Sequence, residues 1–96
     1  MPEVTLSGEL VCSIAAEAQT VARHLPLHLE LTRAEEGCLS FNVVRSENPL
    51  VWHVEERFRD AAAFEAHQER VAASEWGRAT AGIERRYTIT GMATDA

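Results

Sequence analysis

The sequence contains no lysine, so all nine of its basic residues are arginines. Lysine is the side chain that forms Schiff bases with carbonyl substrates and with pyridoxal phosphate, and its absence excludes that class of catalysis. The sequence also lacks a G-x-G-x-x-G motif, a Walker loop and a Ser-His-Asp arrangement at a family-typical spacing. We therefore expect no bound cofactor.

Long apolar runs are also missing. No segment approaches the ~18 consecutive apolar residues that a membrane-spanning helix requires, and Met1-Pro2-Glu3 does not resemble the start of a signal peptide. We expect a soluble, cytoplasmic protein with no membrane partner. The formal net charge of −6 would repel a phosphate backbone, and the arginines are scattered. Nucleic acid is therefore not an expected partner.

Few residues of the sequence could bind a metal ion or form a disulfide. Cys12 and Cys38 fall in predicted strands and lack the close spacing of a C-x-x-C site, which favours free buried thiols over a disulfide or a ligand pair. His24 and His28 are four residues apart, but Pro26 lies between them and nothing is obviously placed to complete a ligand shell. We expect no metal centre.

Hydrophobic periodicity predicts a single domain over residues 1–96, with its core at about 4–90. Ser13 and Asp60 are expected to cap two helices, the first of which should be kinked or locally broken at Pro26. Leu39, Phe41 and Val43 alternate with polar residues in the second strand. The predicted elements are a strand over 4–13, a helix ending near residue 37, strands over 38–45 and 50–58, a second helix after residue 60, a short helical piece from residue 74, and a strand over 83–90.

The resulting β-α-β-β-α-β order defines an α+β, ferredoxin-like fold, in which two helices cover one face of a four-stranded antiparallel sheet. The other face of the sheet is left bare. Apolar residues on both sides of so small a sheet would be exposed in a monomer. We therefore expect a homodimer in which the two sheets pack against each other.

Two sequence blocks carry a resemblance to a known family. The segment 31–41, LTRAEEGCLSF, resembles the T-R-x-E-x-G-C-x-x-(Y/F) motif of the antibiotic biosynthesis monooxygenase domains. The segment 54–58, VEERF, followed by Asp60, Ala63, Phe64 and His67, resembles the strand-three glutamate, the aromatic residue two positions on, and the helix-two histidine of that family. The two blocks occur in the family's order, and the resemblance extends over about residues 4–90.

The resemblance implies a dimeric α+β barrel. Members of the family with known activity include cofactor-independent oxygenases of quinols and anthrones, and haem-degrading relatives. This sequence departs from the family after His67, where many members have a short S-x-H-(F/Y) element. The nearest equivalent here, Ser74-Glu75-Trp76, lacks the histidine, so a role of that residue cannot be transferred.

His67 and Glu56 are the candidate catalytic residues. His67 shares a predicted helix face with Phe64 and Val71, and Glu56 shares a strand face with apolar residues. If the two meet in an apolar cleft, the carboxylate would raise the imidazole pKa and fix its tautomer. Such a base could help to form a substrate anion that donates an electron to dioxygen. The alternative is that the pair only ties the helix to the sheet.

Four further residues are candidates for a substrate pocket. Trp52, Phe58 and Trp76 could supply flat apolar walls for a planar aromatic substrate, although core packing explains them as well. Asn42 could bind a substrate oxygen, but pairing across the dimer interface is the favoured interpretation.

The resulting hypothesis is a cofactor-independent monooxygenase that uses dioxygen and a small quinol, phenol or anthrone-like substrate. One alternative is haem binding and degradation, since related domains use a pocket asparagine, histidine and tryptophan. The other is a small-molecule-binding dimer without catalytic activity, for which the missing second histidine is the best argument.

Overall fold

The computed structural model describes residues 2–92. The strands and helices follow one another in the predicted order, and the predicted short helical piece begins after Ser74. The elements are β1 (Val4–Val11), α1 (Ala15–Arg33), β2 (Cys38–Arg45), β3 (Val51–Phe58), α2 (Ala61–Ala72), α3 (Glu75–Ala79) and β4 (Glu84–Thr90). In this part of the chain no helix combines the length and the apolar character needed to cross a bilayer.

The four strands form one antiparallel sheet in the order β2-β3-β1-β4. Alternate residues of the central strands are buried beneath the helices, including Val4, Leu10, Val54 and Phe58. The helix α1 contributes a buried stripe of Ala18, Val21, Leu25, His28 and Thr32. The ferredoxin-like α+β class predicted from the sequence is confirmed.

Of the two predicted helix caps, only Asp60 has the expected geometry, and Ser74 caps the short helical piece that starts there. The Asp60 carboxylate accepts a hydrogen bond from the Ala63 N–H at 2.8 Å, and the Ser74 hydroxyl accepts one from the Gly77 N–H at 3.0 Å. Ser13 is not a cap, so that prediction was wrong. The N-cap of α1 is Ile14, one residue later, and it makes no side-chain cap hydrogen bond. The Glu17 carboxylate instead accepts a hydrogen bond from the Ser13 N–H at 2.6 Å.

Of the predicted kink or local break at Pro26, the break is absent, since α1 is helical from Ala15 to Arg33. Proline removes one hydrogen bond of the helix, but Pro26 is exposed. The buried residues Leu25 and His28 on either side hold both halves of the helix against the sheet. Tertiary packing thus overrides the local preference.

One side chain of β2 lies on a different face from the one predicted. Phe41 and Val43 are buried as expected, at 2% and 6% exposure, but Leu39 is 48% exposed. The register between β2 and β3 shifts between Cys38 and Ser40. A bulge of this kind adds one residue to a strand and changes the face on which the preceding side chains lie.

The face of the sheet opposite the helices, called here the open face, is mainly polar. Ser7 donates to Glu55 at 2.6 Å, and Arg57 forms an ion pair with Glu3 at 2.8 Å. Other polar side chains of this face, by strand register, are Thr5, Glu9, Ser40, Asn42, His53, Glu84, Arg86, Thr88 and Thr90. Apolar side chains are exposed on this face at its β2 edge, where Val44 is 53% and Leu39 48% exposed. The homodimer stays a prediction that only this part of the open face supports.

Candidate active site

A cavity of about 420 Å³ lies between the helices and the inner face of the sheet. Strands β1, β3 and β4 supply its floor, and α1, α2 and α3 supply its walls. It is lined by Leu6, His28, Glu56, His67, Gln68, Val71, Ala72, Trp76, Gly77, Ala81, Arg85 and Tyr87. Its size is in the range of small-molecule sites, and it brings together several buried titratable side chains.

His67 is held in place by a carboxylate that follows the end of α1. The Nδ1 of His67 lies 3.1 Å from each carboxylate oxygen of Glu35. Glu35 also accepts a short hydrogen bond from Arg70 Nε, and Arg70 Nη2 donates to the Thr32 hydroxyl at 2.8 Å. This network fixes the orientation of the imidazole ring, which is 3% exposed.

The Glu35–His67 contact determines which ring nitrogen can act as a base. Burial is the main cause that lowers the pKa of His67, although the hydrogen bond and charge of Glu35 oppose the shift. The ring is therefore neutral at pH 7, and its single proton lies on Nδ1, because a carboxylate can only accept. The unprotonated nitrogen is Nε2, on the side of the ring that faces Glu56.

Glu56 lies beside that nitrogen without binding it directly. Its Oε1 is 3.9 Å from His67 Nε2, too far for a hydrogen bond, and has no partner in residues 2–92. Burial, and secondarily the charge of Glu35, raises the pKa of Glu56 to about 8, although Arg85 acts in the opposite direction. The carboxyl group is therefore mainly protonated at pH 7 and can donate a hydrogen bond within the cavity.

The carboxylate that contacts the His67 imidazole is not the one predicted from the sequence. Glu56 was expected to raise the pKa of His67 and to fix its tautomer, but Glu35 makes that contact. The net pKa shift of His67 is also downward, because burial outweighs the carboxylate. His67 and Glu56 do meet on the helix-covered face, as the alternation of β3 and the helix spacing of α2 predicted.

A second imidazole enters the cavity from α1. His28 stacks on Trp76 with ring centroids 4.3 Å apart and an angle of 1° between the planes. Burial, with smaller effects of His67, Arg70 and Arg85, lowers the pKa of His28 to about 3. A neutral imidazole thus lies against the element 74–76, which itself lacks a histidine.

Arg85 and Tyr87 form the β4 side of the cavity. Burial is the main cause that raises the pKa of Tyr87 to about 12, so the phenol stays neutral at pH 7. Arg85 is exposed and is held by the turn before β4. Its Nη1 donates to the carbonyl oxygens of Thr80 at 2.6 Å and Ile83 at 3.0 Å.

The predicted pocket residues occupy different places. Trp76 lines the cavity, whereas Phe58 does not, although its ring lies 4.8 Å from that of His67. Trp52 is buried away from the cavity, and the guanidinium of Arg45 lies over its ring at 4.5 Å. Both residues pack in the core.

Asn42 lies on the open face and is exposed. Its side-chain oxygen accepts a hydrogen bond from Arg33 Nη2 at 3.1 Å. The structure therefore separates Asn42 from the cavity, and the asparagine, histidine and tryptophan that the haem hypothesis requires do not converge on one site.

The sequence analysis missed Glu35 and His28 as site residues. Glu35 is the glutamate of the T-R-x-E-x-G-C motif, whose other members have structural contacts. Arg33 donates to the Phe41 carbonyl at 3.1 and 2.9 Å, and a Cβ on Gly37 would lie 2.3 Å from the Ala63 Cβ. The signal for His28 was its place on the stripe of α1 that includes Leu25 and Thr32.

Both cysteines are free, as predicted. Cys12 is buried as expected, whereas Cys38 is only half-buried. Among residues 2–92, no group of three or more histidine, cysteine, aspartate or glutamate side chains is arranged to hold a metal ion. The titratable side chains that line the cavity carry carboxyl, imidazole, guanidinium and phenol groups.

The sheet topology and the position of the cavity define a class of protein: small ferredoxin-like α+β domains with a small-molecule cavity between the sheet and its helices. A family profile described as antibiotic biosynthesis monooxygenase matches residues 15–79, which is more than half of the chain. The protein belongs to this family, as its two sequence blocks indicated. No functionally curated protein matched the sequence.

Several solved structures have the same fold as this chain. A protein from Pseudomonas aeruginosa is 22% identical and superimposes with a TM-score of 0.72, covering 100% of this chain and 97% of its own. Two others are provisionally named antibiotic biosynthesis monooxygenases. The one from Nitrosomonas europaea is 19% identical with a TM-score of 0.75, covering 93% of this chain and 88% of its own. The one from Deinococcus radiodurans is 22% identical with a TM-score of 0.71, and the match covers 97% of this chain and 94% of its own.

Proposed function

We propose that the protein is a cofactor-independent monooxygenase that acts on electron-rich aromatic substrates such as phenols, quinols or anthrones. The observation that carries the proposal is the Glu35–His67 pair, in which the carboxylate holds Nδ1 at 3.1 Å and leaves Nε2 as the basic nitrogen. Membership of the antibiotic biosynthesis monooxygenase family supports the same reaction class.

The first step is removal of a proton from the substrate. His67 Nε2 accepts the proton of a phenolic O–H or of the acidic C–H of an anthrone. The Glu35 carboxylate stabilises the imidazolium that forms, as a buried carboxylate does in other histidine-based sites. The protonated carboxyl group of Glu56 can donate a hydrogen bond to the oxygen on which negative charge develops.

The second step is the reaction of the substrate anion with dioxygen. The anion transfers one electron to dioxygen, and the resulting radical and superoxide combine to form a C–O bond. The peroxide anion takes a proton from the His67 imidazolium. For a substrate with a C–H bond at that carbon, neutral His67 then removes the hydrogen as a proton while the O–O bond breaks.

The departing hydroxide takes a proton from Glu56 and becomes water. His67 Nε2 lies 3.9 Å from Glu56, so the proton that Glu56 recovers from His67 passes through that water. One oxygen atom remains in the product as a carbonyl and the other leaves as water. The substrate supplies all four electrons that reduce dioxygen. The protein contributes proton transfer and position, which general acid–base groups can provide.

The cavity walls suit a flat substrate. Trp76, Leu6 and Tyr87 offer aromatic and aliphatic surface around the polar groups. The volume of about 420 Å³ accommodates a compound of two or three fused rings. Gly77 is also part of this wall, and a Cβ there would lie 2.1 Å from the Val71 carbonyl oxygen, so the close approach of α3 to α2 requires glycine.

The direct test is oxygen consumption by purified protein with a panel of quinols, phenols and anthrones, after treatment with a metal chelator. We expect uptake of one dioxygen per product with at least one compound. If compounds of the panel raised the melting temperature of the protein but no oxygen was consumed, the proposal would be contradicted. That result would favour a binding protein without catalytic activity. A Soret shift on addition of haemin would favour the haem hypothesis.

The role of Glu35 can be tested separately. In Glu35→Gln the imidazolium of His67 loses its carboxylate, so we expect kcat to fall about tenfold to a hundredfold. Because Glu35 raises the pKa of His67, its loss should also move the acid limb of the kcat/KM profile to lower pH. The matched control is Glu36→Gln at the neighbouring exposed residue. An unchanged acid limb in Glu35→Gln would show that Glu35 only stabilises the fold.

A further inference from the structure

The cavity contains one arginine whose charge is not compensated by a neighbour. Arg85 donates to the carbonyl oxygens of Thr80 and Ile83 and, from Nη2 at 2.8 Å, to the Thr80 hydroxyl. All three acceptors are neutral. Within residues 2–92 no carboxylate lies within ion-pair distance of Arg85, whereas Arg57, Arg59, Arg70 and Arg86 each have an acidic partner.

The other ionisable groups that line the cavity are neutral at pH 7. Burial raises the pKa of Glu56 to about 8 and that of Tyr87 to about 12. It lowers the pKa of His28 to about 3 and also lowers that of His67. The cavity is therefore locally cationic in a chain whose formal net charge is −6.

The geometry of Arg85 suits recognition of an anion. A guanidinium has five N–H groups in a rigid planar fork. The bonds to Thr80 and Ile83 use three of them, and Tyr87 is a further hydrogen-bond partner of Arg85. These bonds fix the group at the mouth of the cavity, so little conformational entropy is lost when a ligand binds. The remaining N–H groups can bind a carboxylate.

We propose that the substrate is an acidic aromatic compound whose carboxylate is bound by Arg85 at the mouth of the cavity, while its hydroxylated ring lies against His67. This inference rests on the proposed function and narrows it to a substrate class. Arg85 is a specificity-determining residue in this account. It selects substrates that bear a negative charge at one end, and it takes no part in proton transfer.

The inference can be tested by binding alone, with ligands that do not react with oxygen. Anthraquinone-2-carboxylate and its carboxamide have nearly the same shape and differ in charge. By isothermal titration calorimetry at low salt, we expect the wild-type protein to bind the carboxylate at least about tenfold more tightly than the carboxamide. This preference should weaken as salt is added, because Arg85 is exposed.

Two adjacent arginines provide a matched pair of variants. Arg85→Gln is expected to reduce the preference for the carboxylate to less than about twofold, and Arg85→Lys to retain part of it, because lysine keeps the charge but loses the fork. Arg86→Gln removes the same charge from the open face, where Arg86 pairs with Glu84, and should leave the preference intact.

Equal binding of the two ligands by the wild-type protein would overturn the inference, and so would binding of neither. If Arg85→Gln and Arg86→Gln weakened the preference for the carboxylate equally, the inference would also be overturned, because the preference would then depend on the net charge of the protein. The wild-type comparison does not depend on how well a variant folds. Oxygen turnover without a charge preference would overturn this inference alone, whereas an Arg85-dependent preference without any turnover would overturn only the oxygenase proposal.

Discussion

Replacing His67 with alanine is expected to lower kcat for oxygen consumption by about 10²–10⁴-fold, the usual contribution of a general base. In the proposed mechanism Nε2 of this ring removes the substrate proton, and in residues 2–92 the other imidazole of the cavity belongs to His28. With a pKa of about 3, His28 is too weak a base to replace it. The measurement is the initial rate of oxygen uptake with a substrate identified in the panel.

The matched control is His53→Ala. His53 lies on the open face, and its side chain is 53% exposed, so its loss should leave kcat within about twofold of the wild type. Melting temperatures of both variants establish that they are folded. A His67→Ala protein that retains wild-type turnover would contradict the assignment of His67 as the base.

Replacing Glu56 with glutamine is expected to change the pH dependence of stability. The pKa of this carboxyl is raised from 4.5 to about 8 in the folded state, so between these values the folded protein holds a proton that the unfolded chain has lost. The contribution of Glu56 to stability is therefore fully present below pH 4.5 and is lost progressively as the pH rises to about 8. Glutamine does not titrate and removes this dependence.

The size of this change in stability follows from the pKa shift of Glu56. Each pH unit in that window changes the free energy of unfolding by up to about 1.4 kcal/mol, so the wild type should lose up to about 4 kcal/mol relative to Glu56→Gln between pH 5 and pH 8. Urea denaturation at several pH values measures the difference. The control is Glu55→Gln, at the adjacent residue on the open face, where Glu55 accepts from Ser7. If the difference in unfolding free energy between the wild type and Glu56→Gln did not change with pH, Glu56 would have an ordinary carboxyl pKa in the folded protein.

Much of the fold could be predicted from the sequence because its signals are local. The alternation of Phe41 and Val43 gave the inner face of β2, and Asp60 and Ser74 marked the start of two helices through side chains that cap the next turn. Two local features were predicted wrongly. The N-cap of α1 is Ile14 and not Ser13, and Leu39 lies on the opposite face because of a bulge that no sequence pattern indicates.

The candidate site could be predicted only in part, since it depends on contacts distant in sequence. Periodicity alone placed His67 and Glu56 on the inner face. The carboxylate that holds His67 comes from Glu35, 32 residues earlier, and it reaches the ring only because α1 ends beside α2. Trp52 and Phe58 share the strand face of Glu56 but are covered by core side chains, which a period-two pattern cannot distinguish from a cavity wall.

The most direct test of the account is a single-turnover reaction under ¹⁸O₂ with chelator-treated protein and an anthrone or quinol that the oxygen assay has identified. We expect one ¹⁸O atom in the isolated product and one in water, and no labelled product within the same time from His67→Ala. Product oxygen that comes from the solvent in H₂¹⁸O, or equal labelling by the wild type and His67→Ala, would contradict the claim that this cavity performs a base-assisted monooxygenation.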